Sequence, residues 1–343
     1  MNYYDPIRAD LELINALSEK KYRDEVISII LEGSYGRKEG AFTLINNILY
    51  PINDYDITIV TQGGWNINMY NDYKKLVTKM KIPRIDINII SKDRLNSKRK
   101  TLLRYDRINN SQILFGNKNI LNNTYKFEQK KIPFREKEQL FYTRFIGLLL
   151  YKYNNNNNKL FNLQQLSKSV ISGFEANLLM LNKYQSSYVK NRDQAKISKQ
   201  YSIQEKNLID WAYKIKLNPN KVIFDNFDEA DIFNRTIEFT EKEFLKLRKS
   251  HCFLLQNNQI YLIYFWVRPK RIAQIFISIL KDKIFLKDLM ITYLQLLLIM
   301  NRFLIPKQKV KRIIKLCSFI FNKEYKNISE VIEFVIKTRM GWN

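Results

Sequence analysis

The sequence predicts an α+β protein, with a first part in which short strands alternate with helices and a second part that is a mostly α-helical C-terminal domain. Three observations lead there. Apolar, β-branched runs at Val26–Leu31, Tyr55–Thr61 and Ile85–Ile90 are each bounded by turn or breaker residues, the pattern of short strands. Around them the apolar spacing is helical. From about residue 134 the helical period runs almost throughout, so the chain divides at 1–133 and 134–343.

In order along the chain, Leu11, Ile14 and Leu17 place a helix over 8–22. The strand Val26–Leu31 then ends at the Gly33-Ser34 turn. A helix over 69–80 separates the strands Tyr55–Thr61 and Ile85–Ile90, and another is expected over 93–107, carrying the basic run Lys98, Arg99, Lys100 and Arg104. The second part reads as helices at 135–152, 163–189, 203–217, 228–249, 272–282, 285–303, 307–321 and 328–338. The stretch 253–268 fits strand or helix, and the Asn154–Asn158 tract reads as a solvated loop.

Composition narrows the chemistry. In 343 residues, 45% are hydrophobic, enough for a sizeable core, while 9 Gly and 7 Pro argue against long linkers. Two cysteines, Cys252 and Cys317, exclude a disulfide scaffold and a Cys-rich metal site. The single histidine, His251, excludes His-cluster zinc chemistry and leaves little room for a Ser-His-Asp triad. We read His251 and Cys252 as structural, and Tyr261, Tyr264, Phe265 and Trp266 as core. Any chemistry falls to carboxylates, Lys, Arg, hydroxyls and backbone.

The formal charge is +25, from 58 Lys+Arg against 33 Asp+Glu. Residues 1–130 carry 21 basic against 15 acidic side chains, and the remainder 37 against 18, so the helical part supplies most of the positive field. Such an excess attracts polyanions, nucleic acid and nucleotides among them. A+T-rich coding bias, which writes Lys, Asn, Ile and Tyr, accounts for the same excess without a partner. The N-terminal MNYYDPIRADLEL has no apolar core, so a reducing cytoplasmic or organellar interior is expected. The run 289–305, with Thr292, Gln295, Asn301 and Arg302, suits a buried helix better than a membrane span.

Three motifs carry the chemistry. Gly33-Ser34-Tyr35-Gly36-Arg37 follows an apolar strand, where small residues open the backbone to a phosphate, Ser34 adds a hydroxyl and Arg37 a guanidinium fork. In Asn53-Asp54-Tyr55-Asp56-Ile57, strand alternation turns Asp54 and Asp56 to one side, and two adjacent carboxylates suit a divalent cation. In Arg84-Ile85-Asp86-Ile87-Asn88-Ile89, Asp86 lies opposite an all-isoleucine face. If the Asp86 strand pairs beside the Asp54/Asp56 strand, three carboxylates converge in the manner of a two-metal phosphoryl-transfer site.

Gly-Ser, then Asp-x-Asp on a strand, then a third Asp in an apolar strand, resembles the DNA polymerase β-type nucleotidyltransferase superfamily. The chain is similar within it to a bacterial subfamily written roughly GSYGRGEG, a loop, then NDYDL, with GSYGRKEG and NDYDI here. The similarity continues weakly through Leu114-Phe115-Gly116-Asn117 and through Gln165–Tyr188. It implies a palm-like mixed sheet flanked by helices, and transfer of a nucleoside monophosphate from an NTP with release of pyrophosphate. Carried over, Asp54, Asp56 and Asp86 would hold Mg²⁺ or Mn²⁺, and Asp86 would help deprotonate the acceptor hydroxyl. Gly33 and Ser34 would hold the β/γ phosphates and Arg37 would steady the leaving pyrophosphate. Lys168, Glu175, Tyr188 and Arg192 match polar positions of the family, and Lys168 and Glu175 would contact base, triphosphate or acceptor; a solvated helix face explains them equally well. Lys38 stands where the subfamily has Gly, and Glu39 matches its Glu without an assigned role.

The acceptor is not written in the motifs. An RNA 3′ end, reached through Lys98, Arg99, Lys100 and Arg104, fits the charge best. A protein side chain, alone or within a larger assembly, or a small molecule fits the fold, whereas a cationic aminoglycoside fits the charge badly. The competing expectation is a catalytically inactive, basic scaffold or RNA-binding subunit.

Overall fold

A computed structural model describes residues 5–153, 159–219 and 228–254, together with 326 and 330. The expected helices at 272–282, 285–303 and 307–321, that at 328–338 apart from residue 330, the Asn154–Asn158 loop, most of the ambiguous 253–268 stretch and the apolar run 289–305 lie outside the described residues. By contact the chain forms two units, one from Met1–Lys137 with Leu178–Asn226, the other from Glu138–Asn177 with Phe227–Asn343.

The first unit is built on a four-stranded mixed sheet. After α1 (Arg8–Lys21), the strand β1 (Val26–Glu32) runs into a single helical turn, α2 (Gly33–Gly36). A small hairpin follows, β2 (Phe42–Ile45) and β3 (Ile48–Pro51), then β4 (Tyr55–Thr61), α3 (Ile67–Leu76) and β5 (Ile85–Ser91). Next come α4 (Lys92–Leu95), α5 (Leu102–Asn110) and β6 (Gln112–Gly116). The sheet order is β5-β4-β1-β6, with β4 and β5 parallel and both neighbours of β1 antiparallel to it. Strand alternation sorts the side chains. Ile29, Leu31, Tyr55, Ile57, Ile59, Ile85 and Ile89 pack with Ile14, Met69 and Tyr73 of α1 and α3. Ile30, Val60 and Ile90 take the opposite face with Leu95 of α4. Asp56 and Asp86 share the parity of that second face.

The expected helix over 93–107 is two helices. Chain geometry breaks after Leu95, and Thr101 restarts the helix by accepting a hydrogen bond from the Arg104 amide. The strands β2, β3 and β6 carry no expectation above. The hairpin turn Asn46-Asn47 holds both residues at positive φ, as a two-residue connection between twisted strands requires.

The helical part opens with α6 (Phe134–Tyr153) and α7 (Lys159–Met180). The expected helix over 163–189 ends at Met180, because Asn182 adopts a left-handed φ of 55° and turns the chain. A separate helix, α8 (Tyr188–Ile197), precedes α9 (Ile203–Leu217), which Ser202 and Glu205 start with a reciprocal capping box. These two belong to the first unit. In the second unit α6 and α7 approach closely, since a Cβ at Gly147 would lie 2.9 Å from the Gln165 side chain. There Phe141 meets Phe244 of α10 (Glu229–Leu254), and Tyr151 meets Phe233. Among the described residues, no helix is long and apolar enough to cross a membrane.

Candidate active site

Strand register assembles the acidic cluster. Asp56 on β4 is paired in register with Asp86 on β5 and with Glu32 on β1, while Asp54 stands just ahead of β4. Asp54, Asp56 and Asp86 each present a carboxylate oxygen within 4.8 Å of the others. Arg84, two residues before Asp86, donates Nε to Asp86 Oδ1 at 2.9 Å and its terminal nitrogen to Asp86 Oδ2 at 2.5 Å. The same nitrogen lies 3.2 Å from Asp54 Oδ2. The guanidinium thereby holds the Asp86 carboxyl below the usual carboxylate range.

Asp56 is treated differently. Burial, followed by the charges of Asp54, Glu32 and Asp86, pushes its carboxyl up to about 7, and the opposing cation is Lys216 on α9. Glu32, its cross-strand neighbour, is a buried carboxylate satisfied by Arg107 Nε at 2.6 Å, with Thr58 Oγ1 3.2 Å from the same guanidinium. Burial with like charges disfavours an ionised Asp56, and a cation placed among the three oxygens would remove that cost. The donor set is all carboxylate oxygen, the preference of a hard divalent ion, and it fits Mg²⁺ or Mn²⁺.

The Gly33–Gly36 turn lies directly against this cluster. Gly33 has a φ of +60°, and a Cβ there would lie 1.9 Å from Asp56 Oδ2. Glycine is required on both counts. A Cβ at Gly36 would lie 2.3 Å from the Leu31 carbonyl oxygen. Between them Ser34 is buried beside the turn, and Tyr35 anchors it in the core, donating its hydroxyl to Ala41 O at 2.8 Å and meeting Tyr55 edge-on.

Arg37 and Glu39, further along the first motif, have partners outside the carboxylate cluster. The Arg37 guanidinium lies 2.8 Å from Asp106 Oδ2 of α5 and 4.8 Å from the centre of the Tyr188 ring, with its side chain 9% exposed. Glu39 accepts from Ser187 Oγ at 2.6 Å, from Tyr188 N at 2.8 Å and from Val189 N at 3.2 Å. Lys98, Arg99 and Lys100 share the loop between α4 and α5. Arg104 is not with them: it is buried and donates to Ser97 Oγ and to Tyr125 O, both at 3.1 Å. Lys168 and Glu175 lie on α7 in the second unit, Glu175 buried. Arg192 bridges α8 to α9 through Asp210 at 2.6 Å.

No family model and no curated protein matches this chain. Among solved structures it is similar to spectinomycin adenyltransferase from Enterococcus faecialis, crystallised with ATP and spectinomycin. The two are 13% identical, with a TM-score of 0.39, over 71% of this chain and 99% of that one.

Three contributors escaped the sequence reading. Arg84 sits inside a quoted motif, and its i, i+2 spacing to Asp86 on a strand was the available signal. Glu32 immediately precedes Gly33, so a charged residue closing an otherwise apolar strand was visible too. Lys216 had no local signal, because it reaches Asp56 from a helix 160 positions further along the chain.

Proposed function

We propose that this protein is a metal-dependent nucleotidyltransferase that moves a nucleoside monophosphate from an NTP to an acceptor hydroxyl and releases pyrophosphate. The observation that carries the reading is the convergence of Asp54, Asp56 and Asp86 beside the Gly33-Ser34 turn. Asp54, Asp56 and Asp86 are the residues that would hold Mg²⁺ or Mn²⁺. Bound there, such an ion supplies charge neutralisation at the phosphates and makes the acceptor hydroxyl easier to deprotonate.

The chain's own groups do the positioning. Gly33 leaves the backbone open beside Asp56, and Ser34 offers a hydroxyl to the β/γ phosphates. Asp86 is oriented by Arg84 for the acceptor proton. Lys216 brings positive charge to the same edge, where a polyphosphate needs it. Arg37, engaged by Asp106 and Tyr188, supports the turn instead of meeting pyrophosphate. The acceptor we favour is an RNA 3′ end, on the strength of the +25 charge and the loop at Lys98, Arg99 and Lys100. A second reading, an inactive basic scaffold, is favoured by Arg84, which compensates two of the three carboxylates without any metal. It leaves Asp56 without an ion pair among the described residues, which is why we place it second.

The test uses purified protein, Mg²⁺ or Mn²⁺, each α-³²P-labelled NTP in turn, and total RNA with cell lysate. An Asp54→Ala/Asp56→Ala variant is the control. Label entering an RNA or protein band only with the intact pair is the expected outcome. Absence of transfer with every NTP, alongside undiminished RNA binding by the variant, selects the scaffold.

A further inference from the structure

The GSYGRKEG segment continues for four residues past the turn that meets the carboxylates, and two of those residues, Arg37 and Glu39, do something else. Glu39 is separated by about 150 positions from α8, yet its carboxylate takes the Tyr188 and Val189 amides and the Ser187 hydroxyl together. Those amides are among the donors that a helix start leaves without intrahelical acceptors. Ser187 itself accepts from Lys190 N at 3.2 Å, so the first turn of α8 is satisfied by one local side chain and one remote one. A negative charge at that end is also favoured by the helix dipole.

Arg37 acts on the same segment. Its guanidinium lies against the Tyr188 ring and pairs with Asp106, and Asp106 also accepts from Tyr184 Oη at 2.9 Å and Ser186 Oγ at 2.8 Å. Asn110, one turn along α5, donates to Ser186 O. The Tyr188 ring in turn has Lys216 Nζ 5.5 Å from its centre. Contacts thus run from Glu39 and Arg37 through Tyr188 to Lys216, and Glu39 stands three residues after the turn that Gly33 opens beside Asp56.

We propose that Arg37 and Glu39 form a latch that docks α8 onto the Gly33–Gly36 turn, making them positioning residues that set Tyr188 and, through its ring, Lys216. The position of Lys216 at substrate rests on the nucleotidyltransferase reading; the latch itself does not. One short segment then serves two ends: Gly33 and Ser34 leave room at the carboxylates, and Arg37 and Glu39 bring the α8–α9 pair to the same place. The Glu of the motif acquires a role as a remote helix cap.

Hydrogen exchange of the full chain without ligand tests the latch by itself. Glu39→Ala should speed exchange at the Tyr188 and Val189 amides at least about tenfold, Glu39→Gln by less because it keeps one acceptor, with β4 amides unchanged. Unchanged α8 exchange in Glu39→Ala overturns the latch, and an unaltered near-ultraviolet dichroism spectrum establishes that the variant is folded. In the transfer assay the same variants should raise the KM for NTP about tenfold with kcat within about twofold, and Glu39→Gln should recover part of the loss. Adding Lys216→Ala to Glu39→Ala should cost less than it does in the wild type, because both act through one contact chain. Faster α8 exchange with an unmoved KM overturns the positioning role. A wild-type protein that transfers nothing overturns the nucleotidyltransferase reading and with it the role assigned to Lys216, while the exchange result still decides the latch.

Discussion

Glu32 and Asp56 face each other across one strand pair, and their surroundings are opposites. Glu32 is buried with a guanidinium 2.6 Å away and that guanidinium has a second acceptor in Thr58, so the pair is closed and satisfied. Asp56 is half-buried beside two further carboxylates, and the nearby arginine, Arg84, is committed to Asp54 and Asp86. The first arrangement is how a protein makes a buried charge tolerable. The second keeps a charge in want of a cation, which is an arrangement suited to binding. Two acids one strand apart thus show structure and chemistry pulling in different directions.

The sharpest way to break that comparison is to neutralise each acid's environment in turn. Asp56→Asn should abolish transfer, by on the order of 10³-fold or more, and yet raise the melting temperature by a few degrees, because it removes a repelled, half-buried carboxylate. A variant that is inactive and also less stable would show that Asp56 is held as firmly as Glu32. Arg107→Ala should do the reverse to stability. Leaving Glu32 buried and unpaired costs about 3–5 kcal/mol, read as a lowered urea midpoint, and a loss under about 1 kcal/mol would remove the contrast.

Metal and pH sharpen the comparison further. The Asp56 carboxyl titrates near about 7 in the folded chain against an ordinary 3.8, so its contribution to metal-free stability is full below about 4 and is lost as pH rises toward 7. A divalent ion needs the carboxylate, so the melting-temperature gain from Mn²⁺ should be larger at pH 8 than at pH 6. Equal gains at both values would mean that Asp56 is already ionised or takes no part. The smallest effect is expected at Lys38, whose φ of 61° costs an L-residue about 1–2 kcal/mol. Lys38→Gly relieves that cost and adds unfolded-state freedom, for a net gain of about 0.5 kcal/mol. A clear loss of stability would show that the lysine side chain holds the turn.

Much of the acidic site was legible because strand alternation is a local rule. Asp54 and Asp56 two apart, and Asp86 opposite three isoleucines, needed just one further fact, the pairing of β4 with β5. The α1 and α9 boundaries followed from apolar spacing, and the Ser202-Glu205 capping box that starts α9 went unread although it is local. What could not be read depended on distance along the chain. Arg37 looked like a phosphate fork because nothing near it announced Asp106, 69 positions on, or the Tyr188 ring. Arg104 joined a basic run by adjacency, and burial against Ser97 and Tyr125 separates it. The hairpin at Phe42–Pro51 was missed because each arm has four residues, too few for alternation to stand out, although Asn46-Asn47 was a fair turn signal.

The first unit takes one stretch up to Lys137 and a second from Leu178 to Asn226, and this has a consequence for synthesis. At roughly 5–20 residues per second, α8 and α9 leave the ribosome about 5–20 s after β6. Through that interval the nascent sheet presents Glu39, Arg37 and Asp106 to water, an acid–base–acid set with its docking helix still to come. A truncated chain ending at 133 would keep them in that state for good. Such a fragment would keep the GSYGRKEG turn and the three carboxylates but lack α8 and α9, and with them Lys216.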